Sequence, residues 1–327
     1  MARRPPLILF YNTFFDRWPR TDDLDCAKPC RFTIDRAALP EADAVVFHLP
    51  SCTDIWAAPK YPGQLWVAAS MESAAGCPDQ ADPALMRAFD LTMTFRRDSD
   101  IWTPYFGLAA LPKLLGPVLP KTASAPAVLF QSAAFDASGR YAYLQALMRH
   151  LPVDSYGRML PTRRLDGPDL GRPTKLDTIA RYKFCLAFEN SIEPDYVTEK
   201  FFQALRAGSV PVYRGAANIR DFAPDEACFV NADDFAGPAD LAAHLDRLDR
   251  DEAAYRRCHE WRERGPSARF LEFFAATRLP SLCRLCALVE ARAEPAARRR
   301  DAPTRPLAWR RWLRRAGDGG HAPVLQD

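Results

Sequence analysis

Nine apolar runs of strand length alternate with helix-like segments along the chain, and this alternation limits the fold more than any other feature. The runs are LILFY (7–11), AVVFHL (44–49), LWVAAS (65–70), LTMTF (91–95), VLFQS (128–132), VDSYG (153–157), KFCLAF (183–188), VPVYR (210–214) and CFVNA (228–232). Helical periodicity marks 82–89, 139–151, 198–208 and 238–264; in the second of these, Tyr143, Leu144, Leu147 and Leu151 share a face. Runs that are apolar on both sides and joined through helices predict parallel sheets covered on both faces. The segment GPVLPKTASAPA (116–127) lacks periodicity and divides the runs into two groups of similar size. The expected architecture is α/β: two Rossmann-like domains facing each other across a cleft, residues 1–120 and 121–275. A C-terminal helix and a basic, Pro/Arg-rich tail follow over 276–327.

Charge and cysteine usage exclude several function classes. From residue 291 onward there are nine Arg against four acids, so the rest of the chain carries about −2 of the net +3. A near-neutral to acidic body is not a nucleic-acid binder, which needs a basic face on its folded part. Nine cysteines (26, 30, 52, 77, 185, 228, 258, 283 and 286) lie scattered, and the lone pair Cys283-x-x-Cys286 has no second half to complete a zinc site. No apolar run approaches the 18 residues of a membrane span. The segment LILFYNTFF after MARR reads as a first core strand and not as a signal sequence. The expected location is the cytoplasm. In the tail, Leu307, Trp309, Trp312 and Leu313 among arginines suit a short amphipathic helix on the inner membrane surface, the alternative being a solvated tail.

One stretch departs from the alternation. After KFCLA the chain opens into FENSIEPDYVTEKFF (188–202) before QALRAG and VPVY resume the pattern. An ordinary strand-to-helix loop would account for it. So would a ligand edge, since open α/β sheets bind ligands beyond the carboxyl ends of their strands. A helix starting near Thr198, with Phe201, Phe202 and Leu205 toward the sheet, aims free N–H groups and a positive dipole end at an anion. Lys200 has the wrong charge for that first turn, a mismatch that a bound phosphate would relieve. Asn190 is able to donate and accept, Glu199 to accept two ribose hydroxyls, and Tyr196 to stack on a nucleotide. Neither GxGxxG nor GxxxxGK[ST] is present.

The segment YKFCLAFENSIEPDYVTEKFFQALRAGSVPVYRG closely resembles the donor-binding motif of the α-1,3-fucosyltransferases of glycosyltransferase family 10. ADAVVFH (42–48), QLWVAASMES (64–73), FRRDSDIWTPY (95–105), SGRYAYLQAL (138–147), VDSYGR (153–158) and VNADDF (230–235) resemble further family segments in the same order. The resemblance spans roughly residues 5–270. It implies a GT-B fold and inverting transfer of L-fucose from GDP-β-L-fucose to a glycan hydroxyl. The acceptor is expected to contain galactose and N-acetylglucosamine, in surface-glycan, lipopolysaccharide or Lewis-antigen synthesis. By position it assigns Asn190, Tyr196, Glu199 and Lys200 to the donor, Arg140 to the pyrophosphate and Glu72 to the catalytic base, with Glu189 as runner-up. Arg97, Asp98 and Asp100 are second-tier, equally explained as an ion-paired loop. No cofactor or metal is required, a divalent ion being at most stimulatory.

The chain also departs from the family. His48 is followed by Leu49, Pro50 and Ser51 where many members carry a His pair and an acid, so the preference for 1,3 or 1,4 linkage does not carry over. ESAAG stands where ESP is common. The start at the first strand fits a soluble bacterial version. Cys283 and Cys286 resemble a CxxC that is oxidised in some members, and thiols are expected here in a reducing cytoplasm. Another GDP-sugar, another acceptor hydroxyl, and a non-catalytic nucleotide-sugar-binding partner stay open as alternatives.

Overall fold

Ten strands in two parallel sheets carry the fold in a computed structural model that describes residues 4–22 and 24–292. In the first sheet β1 (Leu7–Phe10), β2 (Arg31–Thr33), β3 (Ala44–His48), β4 (Leu65–Ser70) and β5 (Leu91–Thr94) lie in the order β2-β1-β3-β4-β5. In the second, β6 (Ala127–Phe130), β7 (Val153–Tyr156), β8 (Phe184–Phe188), β9 (Val210–Arg214) and β10 (Val230–Asn231) lie in the order β10-β9-β8-β6-β7. All nine expected strands form. The addition is β2, three exposed or half-buried residues on an edge. Its sequence, RFT, presents no apolar run to read.

Residues alternate between the two faces of the first sheet, as strand geometry requires. Ile8, Phe10, Val46, Val67 and Met93 face a core that Leu285, Cys286 and Val289 complete, while Leu9, Val45, Phe47, Trp66 and Ala68 enter the opposite core. The helix Ser281–Arg292 therefore covers one face of the N-terminal sheet instead of extending the C-terminal domain. In the second unit the helices Arg140–Leu147 and Pro238–Arg250 cover one face through Leu144, Leu147, Leu241 and Leu245. Ile179, from the helix Arg172–Ala180, and Ala204 lie in the core on the other.

The division of the chain differs from the expected one. One unit comprises residues 1–103 with 279–327, and the other 104–278. Composition placed the boundary at the Pro- and Ala-rich segment, but packing places it earlier. Phe106 stacks on Phe202 at 4.9 Å and meets Phe270 and Phe274 at 5.6 and 5.2 Å. Leu108 N donates to Thr277 Oγ1 (3.0 Å), and the Arg262 guanidinium donates to the Gly116 carbonyl (3.2 Å). The expected amphipathic tail segment, 307–313, lies outside the described residues. No described helix is long and apolar enough to cross a membrane.

The expectation of free thiols is corrected at one position. Cys283 is bonded to Cys26, 257 positions away in the sequence, with Cα atoms 5.2 Å apart. One turn further on, Cys286 packs in the same core as Cys30, and both keep free thiols. The helix brings its CxxC face against the chain before β2, a proximity that sequence spacing alone does not reveal. Closing so long a loop stabilises a fold by about 2–5 kcal/mol. Cys283→Ser is therefore expected to lower the thermal midpoint clearly, and dithiothreitol to do the same to the unmodified protein. An unchanged midpoint in both cases would show that the bridge does not hold the helix. Alkylation during lysis of the native cells, followed by mass measurement, is expected to find Cys26 and Cys283 linked, whereas full alkylation would fit the cytoplasmic expectation.

Candidate active site

The polar stretch between β8 and the helix Glu199–Arg206 is organised around one buried carboxylate. Glu189, the first residue beyond β8, has no exposed surface. It accepts from Thr198 N and from Thr198 Oγ1, both at 2.8 Å, and from Lys200 Nζ at 3.1 Å. Thr198 is the helix N-cap, the position where a hydroxyl satisfies free N–H groups. Lys200 Nζ also donates to Thr198 Oγ1 (2.9 Å) and lies 3.7 Å from Glu199. Burial pushes the Glu189 carboxyl up against the pull of Lys200. Burial alone would lower the Lys200 ammonium, but Glu189 and Glu199 outweigh it and hold it above its ordinary value. The charge mismatch read from the sequence is thus relieved inside the protein by Glu189. The same burial keeps Glu189 from meeting an acceptor hydroxyl and leaves it the part of a structural partner.

The other donor candidates surround this turn. Arg140, 1% exposed, begins its helix and sends its guanidinium back under the sheet edge, donating to the carbonyls of Phe188 (3.2 Å), Ala133 (3.2 Å) and Phe135 (3.1 Å). With the Gln131 amide oriented donor to acceptor, its oxygen accepts from Arg140 Nε at 2.6 Å. The Arg140 charge reaches Lys200. Asp136 caps the same helix: burial would raise its carboxyl, but the N–H groups of Tyr141 and Arg140 and the Ser138 hydroxyl hold it below the ordinary value. Asn190 accepts at its backbone from Ala137 N and Ser138 N, while its side-chain Oδ1 is buried with no hydrogen-bond partner. Tyr196 is 2% exposed and accepts at its carbonyl from Tyr213 OH (3.2 Å). It follows Asp195, which holds φ of 66° through a reciprocal pair with Asn218.

Two contributors escaped the sequence reading. A Cβ on Gly215 would lie 2.5 Å from Tyr213 Oη and 2.7 Å from Glu189 Cγ, so only glycine lets β9 leave the sheet beside Glu189. The glycine is visible in VYRG, but nothing in the sequence identifies its neighbour. Arg214 ends β9 by donating to Ser138 O (3.0 Å) and pairing with Asp233 (3.2 Å). Beside the turn lies a cavity of about 190 Å³ lined by Tyr105, Phe106, Lys113, Arg172, Glu199 and Gln203. Gln203 Oε1 is buried there without a partner. For Glu199, burial works upward on the carboxyl, and Lys200 and Lys175 bring it below its ordinary value, leaving an acceptor at the cavity wall.

In the first unit Glu72 follows β4 at the carboxyl edge of the sheet. Its N–H donates to Ser70 Oγ (3.1 Å), and its carbonyl accepts from Gln80 Nε2 (2.6 Å). A Cβ on Gly76 would approach Glu72 Oε2 to 3.4 Å. His48 ends β3 on the same edge. Ser51 Oγ donates to Thr13 O (2.6 Å) and so accepts from His48 Nδ1 (2.6 Å), which fixes the tautomer. Burial brings the His48 imidazole down to about 4. The 96–100 segment is the ion-paired loop: Arg96 grips Asp98 at 3.0 Å, Asp100 accepts from Thr92 N at 2.9 Å, and Arg97 lies 5.8 Å from the centre of the Trp102 ring.

Comparison with known proteins points one way. The model described as glycosyltransferase family 10 (fucosyltransferase) C-terminal matches residues 120–301, and that of the fucosyltransferase N-terminal region matches 3–106. The chain is 39% identical over 277 residues to the chimpanzee 4-galactosyl-N-acetylglucosaminide 3-alpha-L-fucosyltransferase FUT6, covering 80% of this chain and 74% of that one. It is 40% identical over 247 residues to the human 3-galactosyl-N-acetylglucosaminide 4-alpha-L-fucosyltransferase FUT3, covering 72% and 65%. A crystal structure of an alpha1,3-fucosyltransferase with GDP superposes with a TM-score of 0.59 at 18% identity, over 89% of this chain and 92% of that one. That likeness concerns the fold, the expected GT-B class of two parallel-sheet α/β domains.

Two expectations follow from this geometry. Glu189→Gln removes the negative charge beneath Lys200, and breaking a buried pair from one side costs about 3–5 kcal/mol. Urea unfolding is expected to show that loss, and a change within error would mean that the carboxylate is dispensable. His48 is buried as the neutral form. Its folded value, about 4, lies below the ordinary 6.5, so the unfolded state takes up the proton first as pH falls. Its contribution is complete above pH 6.5 and fades as pH descends through 4, by about 3 kcal/mol in all. The wild type should lose stability more steeply than His48→Gln between pH 7 and 4.5, and parallel profiles would remove His48 as the cause.

Proposed function

The chain belongs to glycosyltransferase family 10, the fucosyltransferases, and on that premise we propose its reaction. The protein transfers L-fucose from GDP-β-L-fucose to a hydroxyl of an N-acetylglucosamine-containing glycan, forming an α-1,3 linkage with inversion. The turn Thr198–Lys200 carries this reading. It is a helix start with an ammonium fixed by a buried carboxylate, beyond the carboxyl end of a parallel sheet, and such a place suits a diphosphate. Asn190 Oδ1, buried and unpartnered, supplies an acceptor beside it. Glu199 at the wall of the neighbouring cavity takes the ribose hydroxyls, and Tyr196 shapes the loop between them.

In the proposed displacement the acceptor oxygen attacks the anomeric carbon of fucose as the bond to the β-phosphate oxygen breaks, and the electron pair leaves with GDP. Negative charge grows on the diphosphate, where Lys200 and the helix start stabilise it. Arg140 donates to carbonyls, and its charge acts on the diphosphate from beneath the edge. Glu72 takes the proton from the acceptor hydroxyl, a transfer that contributes about 10²–10⁴-fold. The relatives named for 3- and 4-alpha-L-fucosyl transfer to galactosyl-N-acetylglucosaminides support the acceptor class.

Glu72→Gln is expected to keep GDP affinity in calorimetry and to lose about 10²–10⁴-fold in transfer. Unchanged transfer would remove Glu72 as the base. Turnover of a different nucleotide sugar, with no binding or hydrolysis of GDP-fucose, would overturn the donor assignment.

A further inference from the structure

Beyond β1 the chain makes a turn that its residues do not favour. Phe14 N donates to Arg17 O (2.8 Å) and Arg17 N to Phe14 O (3.2 Å). The two residues between them, Phe15 and Asp16, have φ of 48° and 60°. This is the two-residue turn that asparagine and glycine fill without strain. Aspartate tolerates the left-handed region, whereas a phenylalanine there is an outlier. Strained residues persist where their surroundings hold them, and they concentrate at ligand sites.

The turn displays aromatic surface over a rigid base. The Phe14 ring stacks on His48 at 4.4 Å and the Phe15 ring meets His48 edge-on at 4.8 Å, yet Phe15 remains 42% exposed. Trp18, just beyond the turn, is 39% exposed, and Ile34, following β2, is 50% exposed. Three of the nine exposed large hydrophobic residues in the described chain thus lie near the carboxyl ends of the adjacent strands β1 and β2, a cluster where isolated apolar side chains would need no explanation. Beneath them, Asn12 Nδ2 donates to His48 O (3.0 Å) and Ser51 Oγ ties His48 to Thr13. His48 pairs in register with Ala69 on β4, and Glu72 follows three residues later. The aromatic surface therefore lies two strands over from the strand that leads to Glu72, with His48 of β3 between them.

Resting on the reaction proposed above, we propose that the Phe15–Trp18 turn is the subsite for the galactosyl ring of the acceptor. A galactopyranose carries its 4-hydroxyl axially, which leaves the C–H groups of positions 3, 4 and 5 together on the opposite face. That face lies flat on an aromatic ring and removes apolar surface from water without any charged group. Of the charges close by, Arg36 is committed to Asp54 in an ion pair (2.5 Å) and to the Tyr11 ring at 3.9 Å, and the exposed Asp16 and Arg17 at the tip of the turn are of opposite sign and leave it no net charge. The surface suits a largely neutral sugar, and two strand spacings, about 10 Å in all, separate β1 from β4 and the Glu72 loop, a span that the neighbouring N-acetylglucosamine ring bridges. The strain at Phe15 holds an aromatic ring outward where a relaxed turn would carry glycine.

The test compares a galactosyl-β-1,4-N-acetylglucosamine glycoside with the N-acetylglucosamine monosaccharide glycoside. Phe15→Ala and Trp18→Ala are each expected to raise KM for the disaccharide roughly tenfold. KM for the monosaccharide, KM for GDP-fucose and the rate of GDP-fucose hydrolysis should stay unchanged. Phe15→Gly should show the same disaccharide defect together with a thermal midpoint raised by a few degrees, because glycine relaxes the turn. An unchanged disaccharide KM in the alanine variants overturns the proposal, as does an equal rise for both acceptors. A wild type that binds GDP-fucose but fucosylates neither acceptor overturns the underlying acceptor reading instead, and the two failures are distinguished by that control.

Discussion

The Glu189 carboxylate, sealed from solvent beyond β8, is the interaction on which the second unit's polar edge depends. A buried carboxylate alone costs several kcal/mol, and only excellent partners offset it. Its partners come from nine and eleven residues away: the Thr198 N–H, the Thr198 hydroxyl and the Lys200 ammonium. The end of the strand, the loop and the first turn of the helix must therefore all be in place together. Gly215 belongs to the same unit, because any side chain there would occupy the space of the Glu189 side chain and the Tyr213 hydroxyl. The result is an ammonium held at a helix start by a fixed counter-charge, ready to face a diphosphate without rearranging.

Much of this was legible in the sequence, and the missing parts share a physical cause. Strands that are apolar on both faces declare themselves, so nine of the ten were readable; β2 has three residues with exposed surface and an edge position, and it carries no such signature. The turn at Thr198 was legible because capping and dipole preferences are local. The partner of Lys200 was not, since a carboxylate eleven residues upstream could equally have faced solvent. Arg140 was identified through the family resemblance alone, and of its three carbonyl partners two come from the loop just before it and the third from a strand end 48 residues on. The helix Ser281–Arg292 shows its apolar face in sequence and does not show which sheet that face covers. Periodicity specifies that a face must be buried; only tertiary packing specifies against what.

The two units answer different chemical demands by different means. A nucleoside diphosphate is highly charged, and a site for it needs cations whose own desolvation has already been offset. In the proposed reaction the second unit supplies this with Lys200 on Glu189 and with Arg140 on backbone carbonyls. An oligosaccharide is neutral, and its recognition rests on apolar ring faces and hydroxyls. In the proposed reaction the first unit accordingly exposes aromatic rings on the same sheet edge as the Glu72 loop. Rigidity is obtained differently too. Buried ion pairing fixes the first of these edges, and aromatic stacking on a buried, neutral His48 fixes the second.

That difference has a consequence for pH. The proposed donor edge rests on an ammonium held above its ordinary value and on Glu199 held below its own, so acidification to the mid-acid range leaves Lys200 charged. The proposed acceptor edge rests on an imidazole that is neutral only because it is buried, and protonating it sets a charge between one stacked and one edge-on phenylalanine ring with no carboxylate among its hydrogen-bond partners. As pH falls, the first unit should therefore loosen at β3 and the turn beyond β1 before the second unit loses its Lys200 charge. Transfer to glycan acceptors would then fail on the acid side through acceptor binding, with GDP affinity persisting to lower pH. The order follows from where each unit keeps its titratable groups: in a paired network on one edge, and in an apolar stack on the other.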